Sequence, residues 1–428
     1  MSPKRSLRAC LLLVSALVAM ACGAPQSQDG GSGGGSDTIK IGLLRPITGT
    51  VAASGKDMEN GWNLYWKQKG TTVAGKKVET VAEDSAGNPS VGLNKAVQLT
   101  SSAHVDVIVG PLLANVGLAV AEAMNRQGVP TVLPIVSADD LTQRKRLDFA
   151  SRVAGWTSSQ PTHPLGAYAA EQGYKTAVAI CTDYAFGYEN CGGFTNTFTD
   201  NGGKVVKVLW NPLGTPDFSP YMAQIKQIKP DVVFTEQVGA DSVRFVKAWA
   251  DFGLKNSDIQ LLGNETLLDA SVLRNMGDEA VGLISAGHFA EGRPDPVAKK
   301  FADDYFAAYG NTPSYYAADM YTAAGAIASA IETLKGDVSD KKAFVKALNE
   351  VSLENTPMGP ETMDEYGNPI FNVYIRKVEQ GPHGLWNVPV KTYEKVSQFW
   401  TYDPQEFLKH PVYSKTYQGN GAWPDPAS

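Results

Sequence analysis

The chain has 428 residues, 43% of them hydrophobic and 19% charged, and a formal net charge of -6. That length allows two domains with cores of their own. The acidic balance offers neither a basic nucleic-acid face nor a polybasic membrane segment, so small solutes are the expected partners and nucleic acid is not.

The N-terminus reads as an export signal. Lys4, Arg5 and Arg8 precede the apolar run 9–20, and Ala19-Met20-Ala21 leads into Cys22-Gly23. The run is too short for a permanent transmembrane helix, so residues 1–21 are expected to be a signal peptide. Cys22 resembles the lipid-acceptor cysteine of bacterial lipoproteins, and residues 22–37 form a Gly/Ser-rich tether behind it. Ala19 stands where lipoproteins usually carry Leu, and Ala19-Met20-Ala21 also suits ordinary A-x-A cleavage. Lipid anchoring and soluble release both remain open at this point.

From residue 38 short buried runs alternate with helical periods. Strands are expected at 39–44 and 77–83, with helices at 56–69 and after Pro89, a suitable first helical residue. Residues 105–142 read as strand (105–109), Gly-Pro turn, helix, strand (131–136) and a polar turn at Ser137. In a parallel sheet such turns line the crevice where ligands bind. Asn115 falls where a helix N-cap is expected, beside free N–H groups that suit an anion.

The same alternation resumes after Arg152. Helices are expected at 161–172, 188–201, near Asp217 or Ser219, and at 239–252. The strands between and after them are 176–181, 205–209, 232–235, 260–262 and 282–285. Helices at 296–309, 319–334 and 341–349 follow, the second with an Ala-rich face typical of a close-packed core. Residues 359–381 read as a two-stranded return through a Gly-Asn turn. The tail after Val390 is rich in aromatics and Pro and has no assigned fold. In an exported chain Cys181 and Cys191 either pair or stay as thiols in a core; neither has the His partner of a nucleophile.

Four stretches carry a resemblance: IKIGLLRPITGTVAASGKDMENGWNL, VIVGPLLANVGLAVAEAMNRQGVPTVLPIVSADDLT, VAICTDYAFGYENCGGFTNTFTDNGGKVV and DFSPYMAQIKQIKPDVVFTE. In this order and spacing the chain resembles the type I bacterial solute-binding proteins of ABC importers, the leucine/isoleucine/valine-binding family. The resemblance implies an α/β fold of two doubly wound, Rossmann-like lobes joined by a three-strand hinge. Residues 38–152 and 286–353 would form the first lobe, 153–285 and 354–390 the second, with the tail 391–428 packed on them. It implies an exported monomer that captures a small amphiphilic solute and delivers it to a membrane permease. An amino acid, branched-chain or similar, is the first expectation; an aromatic acid or amide in the same role, or a ligand-sensing receptor domain, are the alternatives.

The resemblance also implies site residues. The ligand carboxylate would meet the turns Leu113-Ala114-Asn115 and Ile135-Val136-Ser137. Glu265 aligns with the carboxylate that pairs with an amino acid's ammonium. Phe186, with Tyr184 and Trp156, would supply aromatic wall, and Ser54 stands where the amino-acid binders carry an aromatic lid. Val238-Gly239 replaces aromatics at another contact point, and Gln237 adds a polar group beside Glu236. No P-loop, nucleophile elbow or zinc-binding His pair is present. His104, His163, His288, His383 and His410 lack metal-ligand spacing, so neither cofactor nor metal is expected.

Overall fold

The computed structural model describes residues 37–420. The signal peptide, the Cys22 anchor and nearly all of the tether lie outside these described residues.

The first lobe is a six-stranded sheet of β1 (Thr38–Arg45), β2 (Thr72–Val73), β3 (Lys76–Asp84), β4 (Val107–Val109), β5 (Thr131–Val132) and β6 (Ala150–Ser151), in the order β2-β3-β1-β4-β5-β6. Only the β2–β3 pair is antiparallel. Crossovers run through α1 (Ala52–Lys69), α2 (Pro89–Ser101) and α3 (Ala114–Gln127). A parallel sheet is covered on both faces, which is why β1 is buried from Ile41 to Arg45.

The second lobe holds α4 (Thr162–Glu171), β7 (Thr176–Thr182), α5 (Ala185–Asp200), β8 (Lys204–Asn211), α6 (Ser219–Ile228), β9 (Val232–Thr235), α7 (Ala240–Asp251), β10 (Gln260–Asn264), α8 (Ala270–Leu273) and β11 (Ile284–Gly287). The chain then returns to the first lobe as α9 (Pro296–Tyr309), α10 (Tyr315–Thr333) and α11 (Lys341–Asn349), where α10 packs along α1. It crosses again to add β12 (Thr362–Met363), β13 (Pro369–Gly381) and β14 (Gly384–Val396). The second sheet runs β12-β13-β11-β10-β9-β7-β8, with β14 on β13. Three segments therefore join the lobes: after β6, after β11, and between α11 and β12.

Two expected boundaries are corrected. The first lobe does not resume at residue 286, because Ala286 and Gly287 are still paired to β13 inside the second sheet. A break at 391 would cut β14, which pairs with β13 as far as Val396. The half-exposed sequence Lys391-Thr392-Tyr393-Glu394-Lys395 gives that outer strand little hydrophobic signal. Beyond it comes α12 (Pro404–Phe407). Phe399, Phe407, Tyr413 and Tyr417 form a small core of their own, and the Tyr413 hydroxyl meets His163 Nε2 at 2.9 Å and Asn196 Nδ2 at 2.8 Å. The tail thus covers α4 and α5. Cys181 and Cys191 are joined in a disulfide that ties β7 to α5, with Cα atoms 6.4 Å apart. Among the described residues no helix is long and apolar enough to cross a membrane.

Candidate functional site

The lobes meet in a closed arrangement. The Ala240 amide donates to Thr50 O at 3.0 Å, Ser54 Oγ and Ser271 Oγ lie 3.0 Å apart, and Arg274 Nη2 pairs with Asp57 Oδ2 at 2.5 Å. Each contact joins a first-lobe residue near the start of α1 to a second-lobe residue in α7 or around α8.

Between the lobes, Leu112, Leu113, Ala114, Ile135, Ser137, Trp156, Tyr184, Phe186, Val238, Thr266, Tyr315 and Tyr316 surround a space of about 10 Å³, room for roughly one water. Five of the twelve are aromatic. Trp156 is fixed by its neighbours, its ring centroid 6.0 Å from Phe186, 5.8 Å from Tyr315 and 5.7 Å from His288. The polar side is narrow. Ser137 accepts from Ser158 Oγ at 3.0 Å, and the first turn of α3 carries N–H groups outside the intrahelical backbone ladder, of which Val116's is taken by the Asn115 side chain.

Of the residues expected at the site, Ile135, Ser137, Trp156, Tyr184 and Phe186 face this space. Val136 points the other way, under α3. A Cβ on Gly117 would lie 2.3 Å from Val136 Cγ1, so the helix approaches this side chain closely only because residue 117 is glycine. Asn115 is not the N-cap. Leu113 holds that place, and Asn115 Oδ1 accepts from the Val116 amide at 2.9 Å, outside the residues that line the space. Ser54 reaches across the cleft to Ser271 rather than lining it. Gln237 is buried in a reciprocal amide pair, donating to Asn211 Oδ1 at 2.9 Å and accepting from Asn211 Nδ2 at 3.1 Å.

Glu265 needs the largest correction. It is fully buried, yet its carboxylate is occupied by the protein. Oε1 accepts from Arg376 Nη1 at 2.9 Å and the Phe289 amide at 3.1 Å. Oε2 accepts from the His288 amide at 3.1 Å and lies 2.7 Å from His288 Nδ1. A Cβ on Gly287 would meet the Glu265 carboxyl carbon at 2.2 Å, so this seat exists only beside a glycine. Burial opposes the charge on Glu265, but His288 and Arg376 overcome it and hold its pKa below the ordinary carboxylate value. His288 is also buried. Asp319 Oδ1, 2.8 Å from its Nε2, joins Glu265 in raising its pKa well above the ordinary value. Both Glu265 oxygens are thus taken up within the protein, while Asp319 meets the shared imidazole through Oδ1 alone.

Sequence reasoning missed Tyr315, Tyr316, Thr266 and Leu112. The helical period at 319–334 pointed to Asp319 as the start of a helix, whereas Ser314 caps α10 and the two tyrosines form its first turn. The signal was Ser314 itself, just after Pro313: its side chain accepts from the Ala317 amide at 3.3 Å.

Comparison with known proteins agrees with this architecture. The family model described as periplasmic binding protein matches residues 38–382. The Leu/Ile/Val-binding protein homolog 6 of Brucella melitensis biotype 1 is 29% identical over 368 residues, 84% of this chain and 93% of that protein. The solute binding protein of an ABC transporter from Rhodopseudomonas palustris BisB5, solved in complex with 3,4-dihydroxy benzoic acid, superposes with a TM-score of 0.81 at 31% identity, covering 85% of this chain and 99% of that one. A solute binding protein from Rhodopseudomonas palustris HaA2, in complex with p-hydroxybenzoic acid, gives 0.80 at 28% identity, covering 85% and 99%. With two parallel-sheet lobes, three crossings and a family match over most of its length, the chain belongs to the periplasmic binding protein family, a family of substrate-binding proteins.

Proposed function

We propose that the protein is the solute-binding component of an ABC importer and that its ligand is an aromatic carboxylate of the benzoate type. One observation carries the choice of ligand: Glu265 is already paired with Arg376 and His288 and offers an amino acid's ammonium no free counter-charge. Burial, which raises Glu236 to about 8, keeps that carboxyl protonated at neutral pH. An ammonium desolvated on closure without a partner is strongly disfavoured. A ligand with a carboxylate and no amine avoids that cost.

The walls support the same reading. Trp156, Tyr184, Phe186, Tyr315 and Tyr316 offer ring faces and edges, the environment that favours offset and edge-on aromatic contacts. In so narrow a space a flat ring needs less separation of the lobes than a branched aliphatic chain. Ser137 and the start of α3 are the donors assigned to the carboxylate. The proteins solved with 3,4-dihydroxy benzoic and p-hydroxybenzoic acid share this fold over their whole length.

In this role ligand contacts to both lobes shift the open-closed equilibrium, and the closed form is handed to the permease. The protein works outside the cytoplasm as a monomer, anchored through a lipid on Cys22. Calorimetric titration with two acid and amine pairs tests the ligand class: 3-phenylpropionate against L-phenylalanine, and 4-methylvalerate against L-leucine, with benzoate alongside. Benzoate and 3-phenylpropionate are expected to bind and both amino acids to fail. Tight binding of L-leucine with none of benzoate overturns the assignment.

A further inference from the structure

We infer that Trp156 is a hydrogen-bond donor to the ligand, its indole N–H completing a three-point grip on the carboxylate with Ser137 and the first turn of α3; this rests on the aromatic-carboxylate reading above. The starting observation is an unpaired donor. Trp156 is 1% exposed, and its Nε1 has no hydrogen-bond partner within the protein. Buried indole N–H groups almost always find an acceptor, so one that lacks it beside a binding space is the exception that calls for a ligand.

Position narrows what that acceptor is. Trp156 lies in the first crossing segment, two residues before Ser158. The Ser158 amide donates to Ser137 O at 2.8 Å, and its hydroxyl donates to Ser137 Oγ at 3.0 Å. Arg152 Nη1 fixes the other side of the indole's backbone by donating to Trp156 O at 3.1 Å. The backbone that carries the indole is therefore held next to Ser137, and the ring lines the same space as Ser137 and Ala114 at the start of α3. Its ring cannot turn freely, because Phe186, Tyr315 and His288 surround it. Glu265 is engaged by Arg376 and His288 and Asp319 Oδ1 by His288, and no acidic side chain accepts from the indole. A donor that is fixed, dry and without a protein acceptor selects a ligand that brings one.

A consequence for specificity follows. A carboxylate that reaches Ser137, α3 and Trp156 together touches the first lobe and a crossing segment at once. Aromatic compounds of the same outline without an oxygen at that end leave the indole unsatisfied and are rejected.

The test uses the full mature protein labelled with ¹⁵N-tryptophan. Trp156→Phe identifies the Trp156 indole signal by its loss. On adding benzoate the indole proton of the wild-type protein is expected to move downfield, as a donor to a carboxylate does. Replacing Trp156 with β-(3-benzothienyl)alanine keeps the bicyclic shape and removes only the N–H. The benzoate Kd should then rise about tenfold, the loss of one charge-assisted hydrogen bond. If the Phe variant fails to fold, the thienyl analogue and the wild-type signal's response to benzoate still decide. Benzoate binding with an unmoved indole proton and an unchanged Kd in the analogue overturns this inference while leaving the aromatic-carboxylate reading intact. A wild-type protein that binds no aromatic acid overturns both.

Discussion

Removing the cation that faces Glu265 should destabilise the fold rather than merely weaken a ligand. In Arg376→Met the guanidinium disappears from a site where both partners are fully buried and 2.9 Å apart. Arg376 also donates to Glu265 O at 2.7 Å and to Ser285 Oγ at 3.0 Å, so the loss reaches β10, β11 and the turn between them. Breaking one side of a buried pair costs about 3–5 kcal/mol; here the carboxylate keeps only His288 as a charged partner, and the carbonyls of Glu265 and Phe289 lose their donor as well. At about 2 °C per kcal/mol for a chain of this size, the midpoint of thermal unfolding should fall by on the order of 6–10 °C. Glu265→Gln keeps the shape and the backbone donors and should cost less. The double variant should recover part of the loss, since no uncompensated carboxylate is left. Differential scanning calorimetry at neutral pH measures all three. Wild-type midpoints for both single variants, with amino-acid binding abolished in Glu265→Gln, would refute the reasoning and restore Glu265 as a ligand residue.

Three further outcomes follow from named contacts. Burial raises the Glu236 carboxyl from 4.5 to about 8 in the folded protein, against the opposing hydrogen bonds from Thr182. The folded chain therefore keeps a proton that the unfolded chain releases between those values, and stability falls as pH rises across that window by about 1.4 kcal/mol per pH unit. Glu236→Gln should remove this slope, so that denaturant unfolding shows the variant gaining on wild type from pH 5 to pH 8; a constant difference would contradict it. Opening the Cys181–Cys191 bridge with Cys181→Ser and Cys191→Ser releases a loop of sequence separation 10, which the chain-entropy account puts at about 2.7 kcal/mol. Urea unfolding with and without reductant reads this directly. Arg274→Met removes the ion pair to Asp57 across the cleft and should raise the ligand Kd a few-fold while shifting small-angle scattering toward a more open form.

Much of the fold was legible because buried parallel strands write themselves as short apolar runs. The strands at 39–44, 176–181 and 232–235 were expected within a residue or so of β1, β7 and β9. β14 was not, since its half-exposed residues alternate without a strong apolar face. The lining of the space between the lobes was legible in part. Trp156, Phe186, Tyr184, Ile135 and Ser137 were placed from motif position, and all line the space. What the sequence hid were pairings between distant residues. Nothing near Glu265 announces Arg376, which meets it from β13, or Asn211, which takes up Gln237 from β8. Those partners decide whether a polar side chain serves the ligand or the fold.

The most direct measurement is a crystal structure of residues 38–428 with benzoate. The ligand carboxylate should lie against Ser137, the first turn of α3 and the Trp156 indole, with the ring between Phe186 and Tyr316 and with Glu265 still bound to Arg376 and His288. A ligand whose polar group sits on a Glu265 released from Arg376 would contradict the account.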